Sequence, residues 1–412
     1  MTESVAEFRA RASVWLAANT PRVDPDNPPN YDIDTHEAWE RARELQKRLH
    51  AGGFAGICFP TEYGGLGLPY TYQRVFDDET SGYELPYPLN VPSLAICSAT
   101  ILDMGTEEQK RTHISAAVRG DEVLAQLLSE PGAGSDLASV STRGERVGDT
   151  WILNGAKIWS TAVYAADYGL CLTRTDWTVP KHEGLTMFLV KIDQPGVTVR
   201  RIVEINGRSE FCEVFLDNVV LPLDAVVGEL DNGWAVASRQ LLHERRAMGG
   251  GSEFASGIDE FPDSNRNLDL LALARAAGNA DDPATRADIG RVAVQWTVHD
   301  QLIPFVMARI SSGDLPDAAG SIIRLFVAET EQLSNDLAAR IAGPAVVVSG
   351  ADDSDVEQAL AHNFLSRQII SIGGGTSEMA RNVISERVLQ MPREPAADRG
   401  VPFNQVTRNK GS

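Results

Sequence analysis

One carboxylate, Glu244, lies in the stretch Gly233 to Arg246, where apolar residues recur at helical spacing and turn it toward an apolar face. A carboxylate drawn out of water is a candidate base for a weakly acidic, carbon-bound proton. Followed by Arg245 and Arg246, the same residue also reads as an ion-paired position on a solvated helix. Three further clusters accompany it. Leu127-Leu128-Ser129-Glu130-Pro131-Gly132-Ala133-Gly134-Ser135-Asp136 offers hydroxyls and backbone amides on glycines that permit close approach. Trp159-Ser160-Thr161, shortly after Asn154-Gly155-Ala156-Lys157, sets an indole two residues before a hydroxyl. Gly373-Gly374-Gly375-Thr376-Ser377-Glu378 is a glycine turn followed by polar side chains. A dinucleotide fingerprint is excluded: after Gly132 and Gly134 the third glycine is missing, Leu137 stands in its place, and strands rather than a helix are predicted to follow.

The elements that must position these groups fall into three textures. Residues 1–122 read as helical, interrupted by the Pro- and Asp-rich Pro21 to Asp34 and a glycine-rich turn from Gly52 to Gly67. Thr106-Glu107-Glu108-Gln109 carries a capping-box signature. From 123 to 230 short apolar runs are divided by turn pairs Gly148-Asp149, Asn154-Gly155 and Asn206-Gly207, the pattern of antiparallel hairpins. Trp151-Ile152-Leu153, Tyr168 to Leu172 and Leu185 to Val190 are strand candidates. Residues 231–395 return to helical periodicity in Trp234 to Arg246, Leu268 to Ala277, Pro283 to Ile310, Ala318 to Ile341 and Val356 to Arg387, which predicts a bundle. Residues 396–412 are polar and read as a tail on the surface or on a neighbouring subunit. The expected fold class is α+β, with a helical domain, a β domain and a helical bundle in that order.

Bulk properties narrow the function. The chain has 412 residues, 43% hydrophobic and 23% charged, enough for two or three domains with real cores. With 37 basic against 57 acidic residues its formal charge is −20, which argues against nucleic acid as a partner. Cys58, Cys97, Cys171 and Cys212 are widely spaced among apolar neighbours, so neither a zinc pattern nor a CxxC pair is present and a reducing compartment is expected. The N-terminal residues lack a signal-peptide layout and no apolar run reaches membrane-spanning length, so a cytoplasmic location is expected.

Taken in order, the four clusters resemble the acyl-CoA dehydrogenase family over nearly the whole chain. The resemblance implies FAD as cofactor, an acyl-CoA substrate, electron-transferring flavoprotein as acceptor, and a homotetramer or a heterotetramer with a homologous chain. It implies that Gln126, Leu128, Ser129, Gly134 and Ser135 line the flavin, with Ser135 also reaching the acyl-CoA. Trp159 would pack on the isoalloxazine, with Ser160 and Thr161 beside it and the Thr161 hydroxyl near N5. Thr376 and Glu378 would meet the adenosine part, and Gly374 and Arg245 the substrate. Many relatives carry the base at the position held here by Gly374; isovaleryl- and long-chain-type relatives carry it on the earlier helix before an arginine, which implies Glu244. Two elements depart from the family. Its pyrophosphate clamp Arg-x-x-Phe-Gly is reduced to Arg275-Ala276-Ala277-Gly278, leaving Arg275 or Arg286 for that contact, and its Gln-x-x-Gly-Gly element becomes Arg340 to Pro344. His243 reads as a packing residue. Two alternatives stand beside the dehydrogenase: a flavin monooxygenase or oxidase on the same fold, and one subunit of a heteromeric dehydrogenase.

Overall fold

The structure is a computed structural model that describes residues 3–24, 34–248, 252–254, 269–346 and 355–406. Its contacts divide the chain into one unit of residues 1–260 with 396–412 and another of residues 261–395.

The first unit begins with helices. α1 (Val5–Asn19) is closed by a capping box between Ser4 and Glu7, and buries Phe8, Ala12 and Leu16. α2 (His36–Ala51) and α3 (Tyr70–Thr80) follow. α4 is continuous from Tyr87–Leu89 through a π-helical stretch, Asn90–Ser98, to Ala99–Met104. α5 runs through Glu107–Gln109, Lys110–Ile114 and Ser115–Arg119, and starts at the predicted capping box: Thr106 Oγ1 accepts from Gln109 N at 3.2 Å, and Gln109 Oε1 accepts from Thr106 N at 3.0 Å.

The strands β1 (Leu124–Leu127), β2 (Arg143–Val147), β3 (Thr150–Thr161), β4 (Tyr168–Arg174), β5 (Leu185–Lys191), β6 (Val197–Arg201), β7 (Phe211–Pro222) and β8 (Val226–Val227) form one sheet in the order β6-β7-β3-β2-β4-β5-β8, with β1 beside β4. Most pairs are antiparallel, as the hairpin signals predict. β1 and β2 instead run parallel to β4, because the β2–β3 hairpin intervenes in the chain. Gly148-Asp149 turns that hairpin. Asn154-Gly155 does not make a turn: it lies inside β3, where the register with β7 shifts. Gly155 has φ +155°, and a Cβ there would stand 2.5 Å from Thr142 Oγ1, so the pair forms a bulge that only glycine fits. One face of the sheet buries Leu127, Leu153, Cys171, Phe188, Val190 and Val214. The other joins the helical core around Phe8, Phe54, Phe76, Leu94 and Ile101. After the sheet comes α6 (Gly233–Met248), with Val236 and Ala237 in that same core.

Residues 396–406 return to this unit. Phe403 is 2% exposed, its amide donates to Val179 O at 2.8 Å, and Asn404 N donates to Trp177 O at 2.9 Å. Of the predicted tail, 396–412, the described residues 396–406 thus lie on the chain's own β domain.

The second unit is helical: α7 (Leu270–Ala276), α8 (Pro283–Ser311), α9 (Gly320–Ala342), α10 (Asp355–Ser366) and α11 (Ser377–Val383). Leu270, Ala274, Val292, Leu337, Ala338 and Leu360 form its core. The helix predicted from Val356 to Arg387 is broken between Ser366 and Ser377, because Gly374 and Gly375 take φ +67° and +97°.

Candidate active site

α6 carries Glu244 on its inner side, half-buried. Gln126 Nε2, from β1, donates to Glu244 Oε2 at 2.8 Å. Cys97, on the π-helical part of α4, is fully buried, and burial followed by the Glu244 charge pushes its thiol well up, so Glu244 has a neutral thiol near it. One residue earlier, His243 is buried on a different side of α6. Its Nε2 lies 2.9 Å from Asp103 Oδ2, and Arg239 Nε lies 3.3 Å from the same oxygen. The His243 hydrogen bond holds the Asp103 carboxyl below its ordinary range. The helix is thus fixed from two sides, by Asp103 and by Gln126, and His243 packs as predicted. Arg245 is exposed.

Three residues beyond Gln126 the chain enters the Ser129 to Asp136 loop. Glu130 and Ala133 exchange both backbone hydrogen bonds at 3.0 Å, closing a tight turn around Pro131 and Gly132. Ser129 is half-buried, while Gly134 and Ser135 are exposed. A Cβ built on Gly132 or Gly134 would meet nothing within 4 Å, so the loop offers bare backbone to open space. Leu128, by contrast, packs into the core.

What fixes this loop is a buried charge pair. Lys157 is 0% exposed, and its Nζ donates to Glu130 Oε1 at 2.9 Å and to Leu128 O at 3.1 Å. The Glu130 carboxylate also accepts from Ser141 N at 2.7 Å and Thr142 N at 2.8 Å. Burial pushes the Glu130 carboxyl up, but the Lys157 charge and these hydrogen bonds outweigh it, and the group lies below its ordinary value. The sequence sets Glu130 and Lys157 in two separate motifs and does not show that they meet; the one local signal is a lysine between Ala156 and Ile158 in an apolar strand.

Lys157 sits in β3 immediately before a second register shift against β7, between Lys157 and Ser160. Ile158 N donates to Ser129 O at 2.9 Å, tying strand to loop. At the bulge Trp159 takes φ +59°, a left-handed backbone that few non-glycine residues adopt. Its indole is 55% exposed, touching Phe211 edge-on at 5.9 Å. Ser160 is buried and its Oγ finds no hydrogen-bond partner among the described residues, whereas Thr161 is half-buried. A large indole held outward by strained backbone, beside a glycine loop open to space, suits one face of a flat aromatic ring.

In the second unit, Gly374 and Gly375 lead into Thr376, the N-cap of α11, whose hydroxyl accepts from Met379 N at 3.1 Å. Glu378 and Arg275 are exposed. In the first unit Gln126 meets Glu244, and Ser129 is tied to the strand that carries Trp159; Arg275, Gly374, Thr376 and Glu378 belong to the second.

Comparison with known proteins decides the family. Models of the N-terminal, middle and C-terminal domains of acyl-CoA dehydrogenases match residues 27–121, 125–219 and 231–389. The chain belongs to the acyl-CoA dehydrogenase family. It is similar to the acyl-CoA dehydrogenase IpdE1 of Mycobacterium tuberculosis, with 33% identity over 95% of this chain and 99% of that protein. Acyl-CoA dehydrogenase FadE29 of the same organism is 29% identical over 90% of this chain and 94% of its own length. Among solved structures, the Tcur3481-Tcur3483 steroid ACAD superposes with a TM-score of 0.74 at 28% identity, covering 96% of this chain and 99% of that one. As a member of the family the protein is a flavin-dependent oxidoreductase acting on acyl-CoA, with FAD as its cofactor. Its α+β fold, helical on either side of a β-rich middle, is the family's. Among the described residues no helix is long and apolar enough to cross a membrane.

Proposed function

We propose that this enzyme removes a proton and a hydride from the α- and β-carbons of a bulky, branched or ring-bearing acyl-CoA to leave the trans-2-enoyl thioester, with Glu244 as the base. Bound FAD supplies the two-electron acceptor for the β-hydride. The carboxylate of Glu244 takes the α-proton, and the Gln126 amide holds that carboxylate in one orientation. Ser129, Gly134 and Ser135 give the flavin a close-lying backbone and hydroxyls, Trp159 covers a ring face and keeps water away, and the Thr161 hydroxyl completes that wall. The single observation that carries this reading is the 2.8 Å hydrogen bond between Gln126 and Glu244, which joins the predicted base to the predicted flavin-lining strand across 118 residues of sequence.

A bulky substrate is favoured on two grounds. Gly374 removes a side chain that many relatives carry at that turn, and a similar solved structure is a steroid ACAD. Electron-transferring flavoprotein is the proposed acceptor, and the four cysteines, all free thiols, suit a reducing, cytoplasmic setting. A mixed assembly is the second reading for the quaternary state, because the Tcur3481-Tcur3483 structure is named for two gene products.

Anaerobic mixing of the FAD-loaded enzyme with a panel of straight, branched and ring-bearing acyl-CoA esters tests the proposal. Ring-bearing esters should bleach the flavin absorbance fastest, and oxygen should leave that first phase unchanged. A panel that bleaches nothing, while the enzyme takes up oxygen with an external reductant, would favour the monooxygenase instead.

A further inference from the structure

Arg174, the last residue of β4, is 0% exposed and joins three segments. Its Nη2 donates to Ala138 O at 2.6 Å and Lys181 O at 2.9 Å, its Nη1 to Glu183 O at 3.0 Å, and its guanidinium lies 3.7 Å over the ring of Phe403. Ala138 follows the Ser129 to Asp136 loop, Lys181 and Glu183 belong to the β4–β5 connection, and Phe403 comes from the C-terminal strap. A second junction lies beside the first. Lys181 Nζ is 2.9 Å from Asp136 Oδ2 and 2.6 Å from Asp398 Oδ2, with the lysine side chain 16% exposed. Asp136 also accepts from the Ser139 hydroxyl. One cation therefore links the residue directly after Ser135 to the strap 262 positions further along the chain, from 136 to 398.

We infer that the C-terminal strap, residues 396–406, is a brace that sets the conformation of the Ser135 loop for acyl-CoA, and that Lys181 is the positioning residue through which it acts. The inference rests on the reading that gives Ser135 to the substrate. The strap supplies one carboxylate and the loop the other. With Asp398 in place Lys181 is held between them, and it ties the exposed Asp136 carboxylate to the β4–β5 connection. Phe403 keeps water from Arg174, whose bonds to the Ala138 and Val140 carbonyls fix the far end of the same loop. Neither Lys181 nor Asp398 touches the reacting atoms. Their effect is on substrate capture.

The test uses full-length, FAD-loaded enzyme with the changes Lys181→Met, Lys181→Arg and Asp398→Asn, read by hydrogen exchange of residues 129–139 and by the split between KM and kcat for the best acyl-CoA. Lys181→Met and Asp398→Asn should each speed exchange in that segment while the β5 and β7 amides stay protected. Both should raise KM roughly five- to tenfold with kcat held within roughly twofold. Lys181→Arg should restore both. Asp398→Asn is the decisive variant, since it alters the strap and leaves the loop's own residues intact. Unchanged exchange in 129–139 for Asp398→Asn would overturn the brace. Faster exchange with an unchanged KM would overturn instead the assignment of Ser135 to acyl-CoA.

Discussion

Two glycine-bearing loops carry the chemistry expected of this chain, and they are built on different principles. The Ser129 to Asp136 loop stands on buried charge: Lys157 and Glu130, 0% and 6% exposed at their side chains, bind the loop to β3 through several hydrogen bonds. The turn from Gly373 to Glu378 rests on backbone freedom, with two left-handed glycines and one hydroxyl capping a seven-residue helix. Shape in the first loop is coupled to the folding of the sheet; in the second it depends on local dihedral choice and one hydrogen bond from the Arg324 guanidinium to Gly373 O. This difference bears on where a base can stand. Glu244 lies on a helix pinned by Gln126 and by Asp103, whereas a glutamate at Gly374 would need φ near +67°, at a cost of ~1–2 kcal/mol for a residue with a Cβ.

The comparison can be broken most forcefully at Lys157. Lys157→Met strands Glu130 in the interior, and the expected loss is ~3–5 kcal/mol, seen as a large drop in the thermal midpoint together with loss of bound FAD. Adding Glu130→Leu should recover much of the stability, because a buried ion pair replaced by apolar residues is often neutral, yet FAD retention should stay poor. Full FAD retention in the double variant would show that the pair does not shape the loop. A cap change in the other loop should cost less. Thr376→Val removes only the hydrogen bond to Met379 N, with an expected loss of ~1 kcal/mol by chemical denaturation.

Glu210 gives a smaller effect with a definite pH sign. It opens onto β7, its carbonyl accepts from Ala162 N at 2.7 Å beside Thr161, and burial, only partly offset by Arg208, raises its carboxyl from 4.5 to about 7. The folded state therefore holds the proton more tightly than the unfolded one. Stability from this group falls as pH rises from 4.5 through about 7, and the penalty is complete above that. Glu210→Gln should match the parent's thermal midpoint at pH 4.5 and exceed it at pH 8; an equal gain at both pH values would refute the shift. Least costly to the fold is Trp159→Ala, because the indole is already 55% exposed: stability should stay within ~0.5 kcal/mol while the flavin spectrum shifts. An unchanged spectrum would remove Trp159 from the cofactor site.

Sequence periodicity and motifs revealed the helix of Glu244, the Thr106 capping box and most strands, because each depends on neighbours a few positions apart. Readings that depend on distant partners were not available. Asn154-Gly155 carries the same Asn-Gly turn signal as Asn206-Gly207, yet the crowding of Thr142 against it places the pair inside β3 as a bulge. Val356 to Arg387 has helical periodicity throughout, but it cannot show that Gly374 and Gly375 reverse the backbone. Lys157 and Glu130 are 27 residues apart, Gln126 and Glu244 118 apart, and nothing local says that either pair meets. Trp159 was legible as an aromatic in a strand, whereas its outward presentation arises from the bulge and positive φ that only the pairing with β7 creates.

The role of Glu244 is tested most directly by anaerobic stopped-flow reduction of the flavin in Glu244→Gln, using the acyl-CoA that best bleaches the parent enzyme. The amide keeps the size of the side chain and removes the base. Acyl-CoA should still bind, as a perturbation of the flavin spectrum, while the rate of bleaching falls by roughly 10²–10⁴. Bleaching at close to the parental rate would show that another group takes the α-proton, and would contradict the placement of the base on α6.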